Sequence, residues 1–163
     1  MRLIFLDLDG VLNAYQPFSG SVPEYNPEIF PRCVRNFNRI IRQTEARIVL
    51  SSAWRHLIHF QHMSLHGFQT LLRTHGVKGE LIGYTRADEG EEPRWRQIAD
   101  WLKDPRHHKG GHKIDVSMYA ILDDTSEAFG GRPGVQTDGT KGLTVKDANK
   151  VIRILTKPAK VIA

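Results

Sequence analysis

Apolar residues along the chain fall into short runs and helical stripes, and the runs stop at polar side chains. Residues 2–6 (RLIFL) are an apolar run of strand length that ends abruptly at Asp7. Residues 14–27 are rich in Pro, Gly, Ser and Tyr without helical period, which predicts a loop or small flap. Phe30, Val34, Phe37 and Ile41 recur at the spacing of one helical face, so a helix is expected from Pro27 or Pro31 to Thr44. RIVL at 47–50 predicts a second buried strand, ending at Ser51 and Ser52. A less regular stretch follows, then a helix near Leu65–His75 that Gly76 closes as a left-handed cap. Leu81 and Ile82 mark a short strand. The next helix starts at Pro93, with Glu91 and Glu92 near its positive end, and runs to Lys103. Residues 104–115 are polar and read as a surface loop. Val116–Leu122 is a strand running into Asp123 and Asp124, and Val135 marks a short last one. Thr144 and Asp147 are spaced as a capping box for a terminal helix to Leu155.

Strands alternating with helices imply an α/β fold, a mainly parallel sheet with helices on both faces. In such folds ligands bind beyond the C-terminal ends of the strands. The residues that end strands here are Asp7 and Asp9, Ser51 and Ser52, and Asp123 and Asp124. Three strands therefore deliver acids and hydroxyls to one edge of one sheet.

Two carboxylates two residues apart repel one another unless a cation lies between them or one takes a proton. Phosphoryl transfer uses both outcomes. One carboxylate attacks phosphorus while a metal neutralises charge. The other protonates the leaving oxygen and then deprotonates water. A hydroxyl at Ser51 or Ser52 suits a phosphoryl oxygen. Asp123 and Asp124 complete an oxygen-rich set suited to Mg²⁺, which keeps several waters and needs few protein carboxylates.

Composition narrows the setting. The 163 residues fit one domain, 1–163, with one core and little to spare. No apolar run has the length to span a bilayer, so no membrane is expected. The first residues meet Asp7 and Asp9 too soon for a signal peptide. Cys33 is the only cysteine, which excludes an intramolecular disulfide and makes a reducing, cytoplasmic setting the simple expectation. The net charge of +5 suggests an anionic partner. Arg32, Arg35, Arg39 and Arg42 fall on one arc of the first helix, opposite its apolar stripe, where they could track nucleic-acid phosphates. His107, His108 and His112 lack the spacing of a zinc site and are read as loop residues. Trp101 is read as core, whereas Trp54 and Trp95 lie close enough to strand ends to touch substrate.

DLDGVLN at 7–13, IVLSS at 48–52 and AILDD at 120–124 together resemble the first, second and fourth motifs of the haloacid dehalogenase (HAD) superfamily. Together with SSAW, a helix ending IADWL, and Gly142-Leu143-Thr144, this order is similar to the compact HAD domains associated with RNA-repair proteins. The resemblance implies a three-layer Rossmann-like fold, strand order 5-4-1-2-3 and a minimal cap. It implies Asp7 as nucleophile, Asp9 as acid/base, Ser51 on phosphate, and Mg²⁺ held among Asp7, Asp9, Asp123 and Asp124. For the third-motif cation Arg94 is expected, with Arg96 and Lys113 as alternatives. The expected activity is a Mg²⁺-dependent phosphatase with an aspartyl-phosphate intermediate, acting on a nucleotide or a nucleic-acid end. The alternative is a non-catalytic HAD-like module that binds nucleic acid.

Overall fold

The computed structural model describes residues 1–14, 28–86, 92–104, 106 and 116–157. The expected flap at 14–27, the polar loop with His107, His108, His112 and Lys113, and Glu91 therefore lie almost wholly outside the described residues. The elements are β1 (Arg2–Leu6), α1 (Pro31–Thr44), β2 (Arg47–Leu50), α2 (His56–His59), α3 (Leu65–Thr74), β3 (Leu81–Tyr84), α4 (Arg94–Lys103), β4 (Met118–Asp123), β5 (Gly134–Gln136) and α5 (Val145–Thr156). Short 3₁₀ turns occupy Ala53–Arg55 and Ser126–Ala128. The five strands form one sheet in the order β3-β2-β1-β4-β5, parallel throughout. This is the α/β Rossmann-like arrangement and the strand order that the alternating pattern and motifs implied.

Strand alternation sorts side chains onto two cores. Ile4 and Leu6 of β1, Ile48 and Leu50 of β2, and Ala120 and Leu122 of β4 face α1, α3 and α5. Leu3, Phe5, Val49 and Ile121 face Ile98 and Trp101 of α4. Trp101 is fully buried there, edge-on to Phe5 at 5.5 Å between ring centroids. Its reading as core holds.

The α1 stripe needs correction. The buried residues of α1 are Cys33, Val34, Phe37, Ile40 and Thr44, while Ile41 is only partly covered and Phe30 stands as the N-cap. α5 lies against α1, and the wider contact shifts the buried face toward Cys33 and Ile40. The arginine arc also divides. Arg32, Arg35 and Arg42 are exposed and Arg39 is half-buried, while Arg32 is engaged, donating to the Lys141 carbonyl at 2.9 Å and sitting over the Phe30 ring.

Helix ends follow their sequence signals. Thr144 and Asp147 form a reciprocal capping box on α5. Gly76 follows α3 with φ +81°, the left-handed conformation in which glycine carries little steric cost.

Candidate active site

The ladder continues one residue past the C-terminal ends of β1, β2 and β3: Asp7 N–H donates to the Leu122 carbonyl, Ser51 N–H to Leu6 and Thr85 N–H to Leu50, at 2.8–2.9 Å. Alternation therefore carries Asp7, Ser51 and Asp123 to the α4 face, above Phe5, Val49 and Ile121. A bulge extends the row. Ile48 pairs with Leu81 but Val49 pairs with Gly83, so one extra residue shifts β3 and brings Thr85 opposite Ser51 on that face.

Asp7 is 5% exposed and Asp123 1%. Arg94, at the first position of α4, donates from Nη1 to Asp7 Oδ2 and to Asp123 Oδ2, both at 2.8 Å. The other oxygens are also held: Leu8 N–H reaches Asp7 Oδ1 at 2.7 Å, and the Thr125 N–H and hydroxyl reach Asp123 Oδ1 at 2.9 and 2.7 Å. Burial pushes the Asp7 carboxyl up to about 6; Arg94 opposes the rise and the Asp123 charge adds to it. Asp124 is raised likewise, by burial and then by Asp123. For Arg94 burial works against the charge, but Asp7 and Asp123 outweigh it and the guanidinium is held above its ordinary range.

One oxygen from each of Asp7, Asp123 and Asp124 lies within 4.8 Å of the others. Three carboxylates so close, two of them with raised pKa, are a donor set that a hard divalent cation such as Mg²⁺ would relieve. Gly10 makes the cluster possible. Its φ is +72°, and a Cβ there would lie 2.5 Å from Asp124 Oδ2. The Thr137 hydroxyl holds the Gly10 carbonyl at 2.8 Å, locking the turn against the end of β5.

The Asp9 carboxylate is engaged elsewhere. Asn13 Nδ2 donates to Oδ1 and Trp54 Nε1 to Oδ2, each at 2.9 Å. Gly10 N–H donates to Asn13 Oδ1 at 2.7 Å, which fixes that amide so its NH₂ faces Asp9. The group of potential metal-ligating carboxylates thus comprises Asp7, Asp123 and Asp124, and Asp9 stands in a clamp beside it.

The two serines differ. Ser52 caps the 3₁₀ turn, accepting from Trp54 N–H at 3.4 Å, and its side chain works against the rise of the Asp7 pKa. The Ser51 hydroxyl is buried with no hydrogen-bond partner among the described residues, as is the Thr85 hydroxyl. A buried hydroxyl without a partner carries a desolvation cost that a ligand oxygen would offset.

Of the three candidate cations, Arg94 meets the carboxylates, Arg96 points away and lies 3.7 Å from Glu92, and Lys113 is outside the described residues. Trp95 packs over Gly130, with Arg96 and Arg132 against its ring at 5.3 and 4.6 Å from the centroid. Trp54 is the tryptophan that meets the acidic site, through its N–H. Sequence reasoning passed over Thr85, Arg55 and Gln97. Thr85 depends on a bulge that leaves no mark in composition, and an Arg or Gln in a turn or helix reads as ordinary surface.

Five parallel strands with carboxylates at the ends of the central pair define a Rossmann-like HAD domain. Over residues 3–148 the chain matches the family described as the HAD domain in Swiss Army Knife RNA repair proteins, and it belongs to that family. A search of curated proteins finds no match. Among the described residues no helix is long and apolar enough to cross a membrane.

Proposed function

We propose that the chain, acting as one domain over its 163 residues, is a Mg²⁺-dependent phosphatase that works through an aspartyl-phosphate on Asp7. The observation that carries this reading is the cluster of Asp7, Asp123 and Asp124 carboxylates beside Arg94. The partnerless Ser51 hydroxyl on the same face supports it. Mg²⁺ held by Asp7, Asp123 and Asp124 would neutralise charge on the phosphoryl oxygens.

An Asp7 oxygen attacks phosphorus and the ester P–O bond breaks. The leaving oxygen takes a proton from Asp9. Water then attacks the same phosphorus, Asp9 takes its proton, and cleavage of the acyl-phosphate bond returns Asp7 and inorganic phosphate. Arg94 and Ser51 steady the charge that develops on the transferred group. In the resting clamp both Asp9 oxygens accept hydrogen bonds, from Asn13 and Trp54. To act as an acid it must carry its proton on an oxygen turned toward the substrate.

The family's RNA-repair setting and the net charge of +5 support a nucleotide or nucleic-acid end as substrate, in the cytoplasm. The same charge also fits a non-catalytic nucleic-acid-binding module. Hydrolysis of aryl phosphate and of 3′- and 5′-phosphorylated oligonucleotides, with Mg²⁺ and with chelator, separates the two. Chelator-sensitive release of phosphate is expected, and its absence on every substrate favours the module.

A further inference from the structure

The turn after β2 buries a second cation, Arg55, only 6% exposed. Its guanidinium donates to three neutral acceptors: Nη1 to the Ser52 carbonyl at 2.8 Å, Nε to the Arg86 carbonyl at 2.9 Å, and Nη2 to Gln97 Oε1 at 3.0 Å. Among the described residues no carboxylate forms an ion pair with it. A buried charge without an ionic partner is costly, and a turn needing only a bolt could use a neutral amide. Burial and then Arg94 lower its pKa to about 10, while Asp7 and Asp123 oppose that fall. Arg55 therefore stays charged at neutral pH and lies within electrostatic reach of the site.

Its acceptors belong to the three segments that build the α4 side of the site. Ser52 follows Ser51, Arg86 follows Thr85, and Gln97 lies on α4 one turn beyond Arg94. The planar fork of the arginine reaches all three and fixes its charge on this side of the site. Against the three carboxylates Asp7, Asp123 and Asp124 stand Arg94 and Arg55. Without Arg55 that balance falls by one charge, just where a phosphoryl dianion is to be seated.

We propose that Arg55 is a buried countercharge for the phosphoryl group, favouring an anion above Asp7 through its charge. This rests on the phosphatase reading. A countercharge acts with opposite sign on an anion and a cation, whereas a purely structural bolt affects both alike.

The test is calorimetric binding of Mg²⁺ alone, and of inorganic phosphate in saturating Mg²⁺, to the full chain and to Arg55→Met and Arg55→Lys. In Arg55→Met the phosphate Kd should rise about tenfold or more, the size of a unit-charge interaction across roughly 10 Å at an effective dielectric of about 20. Its Mg²⁺ Kd should stay level or fall. Arg55→Lys keeps the charge, so both constants should stay within about threefold of the parent. Should Arg55→Met fail to fold, the lysine variant decides, and a tenfold or larger loss of phosphate affinity there overturns the proposal. Equal weakening of both ligands in Arg55→Met, or no change in phosphate binding, also overturns it. A parent chain that binds neither ligand removes the phosphatase reading itself, and this inference with it.

Discussion

The two faces of the sheet are built to different ends. The face toward α1, α3 and α5 buries 25 core residues among those described, almost all aliphatic or aromatic, and α5 on that face starts at a capping box. The α4 face buries eight among the described residues, centred on Phe5 and Trp101, and passes directly into Asp7, Ser51 and Asp123. On the first face packing serves the fold alone. On the second, the same strand alternation that fills the core also aims the chemistry, so a packing fault beneath the site becomes a fault in it.

The sharpest way to break this comparison is one cavity on each side. Phe37→Ala and Trp101→Ala should each destabilise by about 3–5 kcal/mol, measured by denaturant unfolding. At a temperature where both remain folded, Phe37→Ala should keep most of its phosphatase activity and Trp101→Ala should lose most of it, because Trp101 supports α4 and hence Arg94. Equal residual activities would dissolve the distinction.

Arg94→Ala comes next. Losing the cation that meets both Asp7 and Asp123 should cost ~2–4 kcal/mol of transition-state stabilisation, about 30- to 1,000-fold in kcat/KM. Arg96→Ala, on the solvent side of the same turn, should change it by less than about threefold. A reversed order would mean that the third-motif cation is misplaced.

A smaller effect separates the Asp9 clamp from the packing around it. Trp54→Phe keeps the ring against Phe68 but removes the N–H that holds Asp9. Losing a hydrogen bond to a charged group should lower kcat by about tenfold on alkyl phosphates. Aryl phosphates, whose alcohols leave without protonation, should be affected less. Equal losses on both would argue that the indole serves packing alone.

The smallest effect concerns the charge buried on the α4 face. Asp7 has a folded-state pKa raised to about 6 from 3.8, so the fold favours its protonated form. Its contribution to stability is full below the unfolded value and is lost as pH rises through about 6. In chelator, Asp7→Asn should therefore raise Tm by several degrees at pH 7.5 and by little at pH 3.5, by calorimetry. A lower Tm at pH 7.5 would show that the Arg94 ion pair outweighs burial.

What the chain reveals before folding divides along the same line. Strand runs such as RLIFL and RIVL, the Thr144 capping box and the acids after β1 and β4 are local signals, and local physics fixes them. The α1 stripe misled because the buried face of α1 takes in Cys33 and Ile40, and α1 packs against α5, a neighbour more than 100 residues away in sequence. Arg94 was legible from its place at a helix start, but its contact with two carboxylates was not. The Asp9 clamp brings Trp54 to Asp9 across 45 residues, and Thr85 reaches the site only through a bulge. Arg55 shows the limit most clearly: nothing in its local sequence distinguishes a buried guanidinium from a solvated one.

Trapping the phosphoryl group on the protein tests the central claim most directly. A rapid acid quench of the chain turning over a ³²P-labelled phosphate monoester in Mg²⁺, followed by peptide mapping, should place label on Asp7. The label should be absent in chelator and in Asp7→Asn that is folded by circular dichroism. Mg²⁺-dependent turnover with label on another residue, or undiminished in Asp7→Asn, would contradict the account.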